Sequence, residues 1–550
     1  MVDLKLKLGR VMPVFTPPIE TERTLAAIDV GTNSVHMVIV RVDPKLPAFT
    51  IIDREKETVR LGDREPKTGN LKPEPMARAM AAFRRFQEIA KSLNVDQVVA
   101  VATSAVREAP NGRQFLQQVE QELGLKINLI SGQEEARRIY LGVLSGMELN
   151  NQPHIAIDIG GGSTELILGD GREPRSLSST KVGAVRLTGE FITTDPISHS
   201  EFQYLQAYIR GRLERPVEDL LAHLKADEQP RLVGTSGTIE TLAIVDARAQ
   251  LGSEPTPLTG YQLSLKNLRE IVHRLRKLSY EERANIPGMS EKRSEIILAG
   301  ALILQEAMDL LGVDSLTVCE RSLREGIIVD WMLAHGLISD KLRYQSEVRT
   351  RSVIKTAQKY QVNLESSQRI ANFALSLFDQ TQGQLHDWEA QERELLWAAS
   401  ILHNCGLYVS HSAHHKHSYY LIRHGELLGY TDTEVELIAN LARYHRKSSP
   451  KKKHENFANL GDKKHRQMVE QLSALLRLAV ALDRRQIEAV ESVSCQYLPE
   501  KHEFHLKLHP AQYGDRCTLE LWSLNDKKTV FESLYNLKLI PSIQASPSFW

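Results

Sequence analysis

The sequence predicts an α/β protein with two related lobes, followed by a mostly helical domain and a small α+β segment. Three observations indicate this fold class. A strand–turn–strand motif at residues 27–34 returns in altered form at residues 156–163. Strand and helix patterns alternate from about residue 24 to about residue 335, as in layered α/β folds. Beyond about residue 339, strand patterns give way to long amphipathic helical patterns that run to about residue 490.

Before residue 335, each short apolar run that is bounded by turn residues is predicted to be a strand. Apolar residues recur at helical spacing in Pro75–Leu93, which is predicted to be a helix, and Ser290–Leu311 is predicted to form a second long helix. The predicted strands are Leu25–Val30, Val35–Val42, Phe49–Asp53, Val98–Ala102, Lys126–Ile130, His154–Asp158, Glu165–Leu168, Arg231–Val233 and Ser315–Val318.

The change of pattern near residues 335–345 sets the main domain boundary. We expect a polar N-terminal extension at residues 1–22, a first lobe at 23–136 and a second lobe at 137–335. A helical domain at 336–490 and a small α+β domain at 491–550 follow. In this last domain the strand-like runs are Val493–Tyr497, Glu503–Leu508 and Cys517–Leu521.

Composition excludes several classes of protein. The 550 residues contain 69 Lys+Arg and 69 Asp+Glu, so no overall charge attracts nucleic acid or an anionic membrane, and a polyanion would need local basic patches. Four cysteines without a close pair predict neither a disulfide framework nor structural zinc. Because no apolar run suits a membrane span or a secretory signal, we expect a cytoplasmic protein without nucleic-acid or membrane partners.

The repeated motif places one carboxylate and several small residues at each turn. Asp29 and Asp158 each stand where an apolar strand meets the turn, and capping that turn is a common role for aspartate. The repetition favours function, because small residues let the backbone approach phosphate oxygens and consecutive N–H groups form an anion-binding nest. Two such hairpins facing each other would bind a phosphorylated substrate from both sides.

The second turn carries the denser set of candidate phosphate-binding residues, namely Gly160, Gly161, Gly162, Ser163 and Thr164. Carboxylates suit Mg²⁺, and the candidate ligands are Asp158, Glu165 and Asp29. A third candidate anion site opens a predicted helix after another strand, and it consists of Ser236, Gly237 and Thr238.

Two further charged residues stand beside predicted strand ends. Ser131 and Glu134 match a capping box, which leaves the neighbouring Glu135 as either a general base for water or a surface acid. Arg107 follows the strand Val98–Ala102, where a guanidinium either stabilises a phosphoryl group or forms a surface salt bridge.

The helical half carries histidines and a basic stretch. In His403-Asn404 an asparagine, a poor metal ligand, stands where a metal phosphohydrolase would have aspartate, so satisfied or exposed histidines on an inherited scaffold are the favoured interpretation. The basic stretch is either a solvated face or a contact for a polyanionic substrate, and it contains Arg443, Arg446, Lys451, Lys452 and Lys453.

Taken in order, these motifs closely resemble those of the exopolyphosphatase / guanosine pentaphosphate phosphohydrolase (Ppx/GppA) family, over nearly the whole chain. Residues 27–37 are similar to the family's first phosphate motif, which implies substrate contacts from Asn33 and Ser34, and residues 157–165 are similar to its second. Residues 131–137 resemble the segment with the catalytic glutamate, which implies that role for Glu135. Arg107 takes the place of the family's cleft arginine, and residues 322–326 resemble a late motif.

The resemblance also implies the fold. The two lobes would be actin-like (RNase H-like), as in actin, the sugar kinases and the heat-shock chaperone ATPases, and the helical domain would be a degenerate HD-like domain. Asp483 falls at that domain's last ligand position, but Gln368 and Asn404 replace a histidine and an aspartate, so we expect no working metal site there. Glu320-Arg321, where relatives often carry Asp-Gly, departs from the family pattern in the cleft.

The activity implied is processive hydrolysis of terminal phosphate from inorganic polyphosphate by a homodimer that depends on Mg²⁺, with Mn²⁺ as a second choice of cation. Three alternatives stay open. The first is a guanosine pentaphosphate 5′-phosphohydrolase with the same residues. The others are an ATP-dependent kinase of the same superfamily and a non-catalytic sensor of polyphosphate or alarmone.

Overall fold

The computed structural model describes residues 21–44, 46, 48–149, 152–171, 174–338, 348–425, 427–460 and 462–544. Residues 1–20 of the predicted N-terminal extension and residues 339–347 at the predicted domain boundary lie outside these ranges. The described chain separates into two compact units. One contains the residues before Gly146, Leu149–Asp246 and those from Leu263 to 338, and the other contains Gly146–Glu148, Ala247–Gln262 and those from Val348 onward.

The first unit contains two mixed sheets that share one plan. The first sheet has the order β3-β2-β1-β4-β5, in which β1, β2 and β3 are antiparallel neighbours and β4 and β5 run parallel to β1. Its strands are β1 (Arg23–Val30), β2 (Ser34–Asp43), β3 (Ala48–Thr58), β4 (Gln97–Ala102) and β5 (Ile127–Leu129).

The second sheet repeats this plan in the order β10-β11-β9-β6-β7-β8, again with an antiparallel meander (β6, β7, β8) and a parallel neighbour, β9, on the other side of its first strand. The prediction of two related α/β lobes is therefore confirmed. The strands are β6 (His154–Ile159), β7 (Thr164–Gly169), β8 (Ser176–Thr180), β9 (Arg231–Thr235), β10 (Gln262–Ser264) and β11 (Ser315–Val318).

Helices connect and cover these strands. They are Pro73–Ser92, Ser104–Glu108, Gly112–Leu123, Gly132–Gly146, Ala184–Phe191, His199–Leu221, Gly237–Leu251, Leu265–Leu275, Tyr280–Ala284, Glu291–Ser294, Ile297–Leu311 and Leu323–Ala334. The prediction of one continuous helix over Ser290–Leu311 is wrong. The α-helix is interrupted by a turn at Glu295 and Ile296, where a charged segment gives way to the almost wholly buried helix Ile297–Leu311.

The second unit is mostly helical and ends in a three-stranded sheet of order β12-β13-β14. Its helices are Val348–Lys359, Leu364–Thr381, Ala390–Leu402, His414–Arg423, Asp432–Arg443, Glu455–Ala458, Lys463–Leu482, Thr518–Lys527 and Thr529–Tyr535, and its strands are β12 (Val490–Leu498), β13 (Glu503–Pro510) and β14 (Lys538–Ile543). Among the described residues, no helix combines the length and the apolar character that crossing a bilayer requires.

The helices and the small sheet of this unit share one hydrophobic core, which includes Leu377, Leu476 and Leu506. A three-stranded sheet needs such support, because so small a sheet cannot bury a core of its own. The prediction of a strand at Cys517–Leu521 is wrong, since Cys517 has a left-handed backbone (φ 41°) and precedes a helix that packs on Lys463–Leu482.

Two helices that contribute to the cavity described below cross at a pair of glycines. A Cβ on Gly142, in Gly132–Gly146, would lie 2.0 Å from the carbonyl oxygen of Ser322. A Cβ on Gly326, in Leu323–Ala334, would lie 1.8 Å from the carbonyl oxygen of Arg138. The helix backbones therefore touch directly, and this contact fixes Glu135 on one helix relative to Arg324 on the other.

We expect Gly326→Ala to destabilise the protein by about 1–3 kcal/mol, because the added methyl group forces two backbones apart. Gly211→Ala is the matched control: it also lies within a helix, but a Cβ there would meet no atom within 4 Å. This control should stabilise the protein by roughly 0.5–1 kcal/mol, since alanine is the better helix former. Urea unfolding measures both, and two changes of the same sign would contradict the tight crossing.

Candidate active site

A cavity of about 460 Å³ opens between the two repeated turns of the first unit. The residues predicted from sequence that line it are Asp29, Asn33, Ser34, Glu135, Asp158, Gly160, Gly161, Gly162, Ser163, Ser236 and Gly237. The repeat thus brings two distant parts of the chain to one place, as the sequence predicted.

The two turns have the same local geometry and touch each other. Gly31 donates its N–H to the carbonyl of Ser34 at 3.1 Å, and Gly160 donates to the carbonyl of Ser163 at 2.9 Å. A Cβ on Gly162 would lie 2.3 Å from Ser104 Oγ and 2.8 Å from Thr32 Oγ1. Larger residues in the second turn would therefore collide with the first lobe and close the cavity.

Strand register places one row of polar residues behind each turn. In the second sheet, Asp158 pairs with Glu165 and Glu165 with Ser179, whose hydroxyl donates to Glu165 Oε1 at 2.7 Å. In the first sheet, the corresponding row is Asp29, His36 and Lys56. The two rows differ in charge, so one side of the repeat has a second carboxylate where the other has an imidazole and an ammonium group.

The carboxylates lie close enough to disfavour one another's ionisation. Burial raises the pKa of Asp29 to about 7, with further contributions from Glu135 and Asp158. Burial likewise raises the pKa of Asp158 to about 7, and Glu165, which is fully buried, has its pKa raised mainly by burial and then by Glu135 and Asp158. Asp29 Oδ1 is buried and has no hydrogen-bond partner among the described residues.

Glu135 and Arg107 form an ion pair at the wall of this cavity. Arg107 Nη1 donates to Glu135 Oε2 at 2.9 Å and to the carbonyl of Ile130 at 3.0 Å. Burial raises the pKa of Glu135, and Arg107 opposes that rise. Glu134 instead has its N–H capped by Ser131 Oγ and its carboxylate paired with Arg137 and Arg138, so the two neighbouring glutamates have separate roles.

Several predicted residues support the cavity from behind, since they are not among the residues that line it. Thr164 is fully buried and donates its hydroxyl to the carbonyl of Val182 at 2.6 Å, so we no longer expect it to contact substrate. Thr238 is buried against Gly300. Glu165 pairs with Asp158 across two strands, and Arg107 forms an ion pair with Glu135; only these partners, Asp158 and Glu135, line the cavity.

The cavity also contains cations to which the sequence pattern gave no role. Arg293 and Arg324 are half-buried, Lys56 is exposed, and none of the three forms a hydrogen bond or ion pair with a described residue. His36 lies among them, and burial, together with Arg324, Lys56 and Arg293, lowers its pKa to about 2. Lone cations on a strand and on helices look like solvated residues in sequence, so only the fold reveals that they converge.

Arg293 lies against the third predicted anion site. A Cβ on Gly237 would stand 2.0 Å from Arg293 Nη2, and Gly237 begins the helix Gly237–Leu251. Ser236 before it has φ 101°, a value rare for a residue with a side chain. On the other wall, Ser322 donates its hydroxyl to Asp158 Oδ2. The cavity thus combines helix-terminal N–H groups, guanidinium groups and carboxylates.

The helical unit holds its polar residues differently. Asp483 accepts hydrogen bonds from Ser366 Oγ at 2.6 Å and Arg369 Nε at 3.0 Å, and His403 is buried with Nδ1 at 2.7 Å from the carbonyl of Ser400. No three His, Cys, Asp or Glu side chains in the described ranges form a group that could ligate one metal ion. Gln368 is exposed and donates to Asn372 at 3.0 Å.

The predicted basic stretch is only partly solvated. Arg443 lies over the rings of Tyr419 and Tyr444, and Arg446 Nη1 is 3.1 Å from His414 Nδ1. The exposed part of the stretch consists of Lys451, Lys452 and Lys453.

Comparison with known proteins agrees with this geometry. The chain matches the model of the Ppx/GppA phosphatase family over residues 38–335 and that of Ppx/GppA phosphatase, domain III, over residues 348–528. An exopolyphosphatase from Cytophaga hutchinsonii is 27% identical over 57% of this chain and 98% of its own, with a TM-score of 0.52. A Ppx/GppA family member from Aquifex aeolicus is 28% identical over 57% of this chain and 98% of its own, with a TM-score of 0.49. The chain therefore belongs to the Ppx/GppA phosphatase family.

Proposed function

We propose that this protein is an exopolyphosphatase, which hydrolyses the terminal phosphoanhydride bond of inorganic polyphosphate and releases orthophosphate. The observation that supports this most directly is the combination in one cavity of two small-residue turns with three cations, Lys56, Arg293 and Arg324, that form no hydrogen bond or ion pair with any residue that the structure describes. Carboxylates such as Glu240 and Asp158 stand near Arg293 and Arg324 without forming ion pairs with them, so these guanidinium groups, held partly out of water, remain available to an anionic ligand.

The lining of the cavity favours a phosphate chain over a nucleotide. Of the described residues that line it, none is Phe, Tyr or Trp, and the apolar ones are Ile139, Ile159 and Leu323. Sites for purine rings are usually lined by apolar and aromatic side chains. Guanosine pentaphosphate presents the same terminal phosphates to the turns and is the second candidate, but its base would find little apolar surface here.

A divalent cation, proposed to be Mg²⁺ or Mn²⁺, fits the carboxylates of the cavity. Buried Asp29 Oδ1 has no partner among the described residues, and Asp158 raises the pKa of Asp29, as expected where a positive charge is needed between them. Mg²⁺ commonly binds one or two carboxylates together with phosphate oxygens and water, so no prebuilt cage is required. Asp158 and Asp29 would hold it, with Glu165 behind them, and its charge would neutralise the phosphate oxygens.

Glu135 is proposed to be the general base. Its carboxylate lines the cavity, and its ion pair with Arg107 both orients it and favours its ionised form. It would accept a proton from the water that attacks the terminal phosphorus, while the turns and Arg324 stabilise the charge on the transferring group. Arg107 is proposed to share that second task once substrate is bound. For longer chains, Arg443, Arg446 and Lys451–Lys453 remain proposed contacts.

Glu135→Gln should lower orthophosphate release from long-chain polyphosphate at least about a hundredfold, the usual effect of losing a general base, with little change in KM. Glu134→Gln is the matched control, because the neighbouring side chain pairs with Arg137 and Arg138 instead of lining the cavity. The assay compares polyphosphate with guanosine pentaphosphate in the presence of Mg²⁺. Release mainly from the nucleotide would contradict the proposed substrate, and normal turnover by Glu135→Gln would contradict the proposed base.

The raised pKa of Asp29 predicts how stability depends on pH. The folded protein keeps this proton up to about pH 7, whereas the unfolded chain releases it near its ordinary value of 3.8. Without divalent cation, Asp29 therefore makes the free energy of unfolding fall as the pH rises through this window, because the native state binds more protons.

Asp29→Asn removes this dependence, so the variant should gain stability over wild type at pH 8 and show little difference at pH 3.5. Urea unfolding in a chelator measures the difference, with Asp227→Asn at an exposed site as control. Added Mg²⁺ at pH 8 should narrow the gap by stabilising the wild type. If the free energy of unfolding depends on pH identically in the variant and the wild type, the raised pKa of Asp29 is contradicted.

A further inference from the structure

The carbonyl groups of the glycine triplet are all bound from behind. The N–H of Ala184 donates to Gly160 O, and the N–H groups of Val185 and Arg186 both donate to Gly161 O, each at 3.0 Å. The third carbonyl, of Gly162, accepts a hydrogen bond from Arg186 Nε at 2.9 Å. Three consecutive peptide oxygens therefore point towards the start of the helix Ala184–Phe191.

This arrangement fixes where the N–H groups point. In a planar trans peptide the N–H lies opposite the carbonyl of the same unit. The N–H groups of Gly161, Gly162 and Ser163 consequently face away from the helix and towards the cavity that these residues line. They donate to no other residue in the described chain, and together they form an anion-binding nest.

In the first turn, too, the carbonyl groups accept hydrogen bonds from behind, but with one difference. The carbonyls of Thr32 and Asn33 accept hydrogen bonds from backbone N–H groups, those of Gly62, Val59 and Arg60, at 2.8–3.0 Å. In the second turn, the Gly162–Ser163 peptide is bound by a side chain. Its orientation therefore depends on one residue that can be substituted without changing the backbone.

Arg186 is itself held in place by an ion pair with Glu108. Its Nη2 donates to Glu108 Oε2 at 2.7 Å, and Glu108 also accepts a hydrogen bond from Ser104 Oγ at 3.1 Å. The Arg186 side chain is 19% exposed and that of Glu108 is 12% exposed. Gly183 permits this close approach, because a Cβ there would lie 2.4 Å from the carbonyl carbon of Gly162.

We propose that Arg186 is a positioning residue, which orients the Gly162–Ser163 peptide so that Ser163 N–H donates to the transferring phosphoryl group. The inference rests on the proposed function of the cavity. Because glycine tolerates a wide range of backbone angles, Gly162 allows this peptide to rotate once its carbonyl is released. Rotation would turn the carbonyl oxygen towards the phosphate, where it repels the anion.

The kinetic effect should resemble the loss of one donor from an oxyanion hole, which costs about 10²–10³ in kcat. Since a released peptide still samples the productive orientation, we expect Arg186→Met to lower kcat by about ten- to a hundredfold, with a smaller change in KM. Arg186→Lys should recover part of the loss, because an ammonium group can reach one of the two acceptors but cannot bridge both.

Arg175→Met is the matched control for loss of a bridging arginine. Arg175 pairs with Glu228 at 2.6 Å and Asp170 at 2.8 Å, is 21% exposed, and does not line the cavity. The stability of both Met variants is measured by urea unfolding. We expect similar losses of stability, but a loss of kcat on long-chain polyphosphate in Arg186→Met alone.

Binding of tripolyphosphate, measured by calorimetry in a chelator, provides the same comparison without turnover. Weaker binding by Arg186→Met than by Arg175→Met supports the positioning role, and equal kinetics and equal binding would overturn it. Failure of Arg186→Lys to improve on Arg186→Met would also overturn it. If the wild type binds tripolyphosphate but releases no orthophosphate from polyphosphate, the proposed function fails, and the binding comparison alone decides the role of Arg186.

Discussion

The structure of the site depends on one constraint, the close approach of two backbone turns across the cavity. At each turn the carbonyl groups are bound from behind, and the N–H groups are left facing the space between the lobes. Only small residues permit this, since a Cβ on Gly162 would collide with Ser104 and Thr32. The repeated hairpin therefore creates a site that neither lobe forms alone, in which fixed backbone dipoles stand ready for a charge that develops during reaction.

Electrostatics explains why such a site calls for both an anion and a cation. Burial and neighbouring carboxylates raise the pKa values of Asp29, Asp158 and Glu165, while Arg293 and Arg324 form no ion pair with a described residue. Charges of both signs thus stand close together, and they offset one another only in part. A phosphate chain would pair with the cations of the cavity, and a divalent cation would pair with its carboxylates. Binding of both would therefore relieve unfavourable electrostatic interactions within the protein.

Much of the fold follows from local pattern. Asp29 and Asp158 could be predicted because a strand, a small-residue turn and a second strand recur in order, and every strand predicted before residue 335 is present. Ser176–Thr180 was missed because it is polar and becomes β8 only by pairing with β7. The run Cys517–Leu521 alternates like a strand, but packing on a neighbouring helix decides its conformation. The helix Glu291–Ser294 ends two residues before Ile297–Leu311 begins, where charged residues give way to apolar ones.

The residues of the candidate site likewise fall into those that the sequence could predict and those that it could not. Residues within a motif, such as Glu135 beside its capping box, could be predicted, because the motif itself carries the geometry. The roles of Lys56, Arg293 and Arg186 could not be predicted. Each is a single cation, and its role depends on the residues that the tertiary structure places near it. Thr164 is the opposite case. Its place in the glycine-rich motif predicts a substrate contact, but its strand register directs the hydroxyl to the carbonyl of Val182.

The most direct test of this account is to hydrolyse polyphosphate in H₂¹⁸O and locate the isotope by mass spectrometry. If the turns hold the terminal phosphoryl group and Glu135 directs water to its phosphorus, in-line attack places one ¹⁸O in each released orthophosphate and none in the shortened chain. Label in the shortened chain would show that water attacks the penultimate phosphorus. Label in neither, with the phosphoryl group transferred to another acceptor, would show that the protein is not a hydrolase.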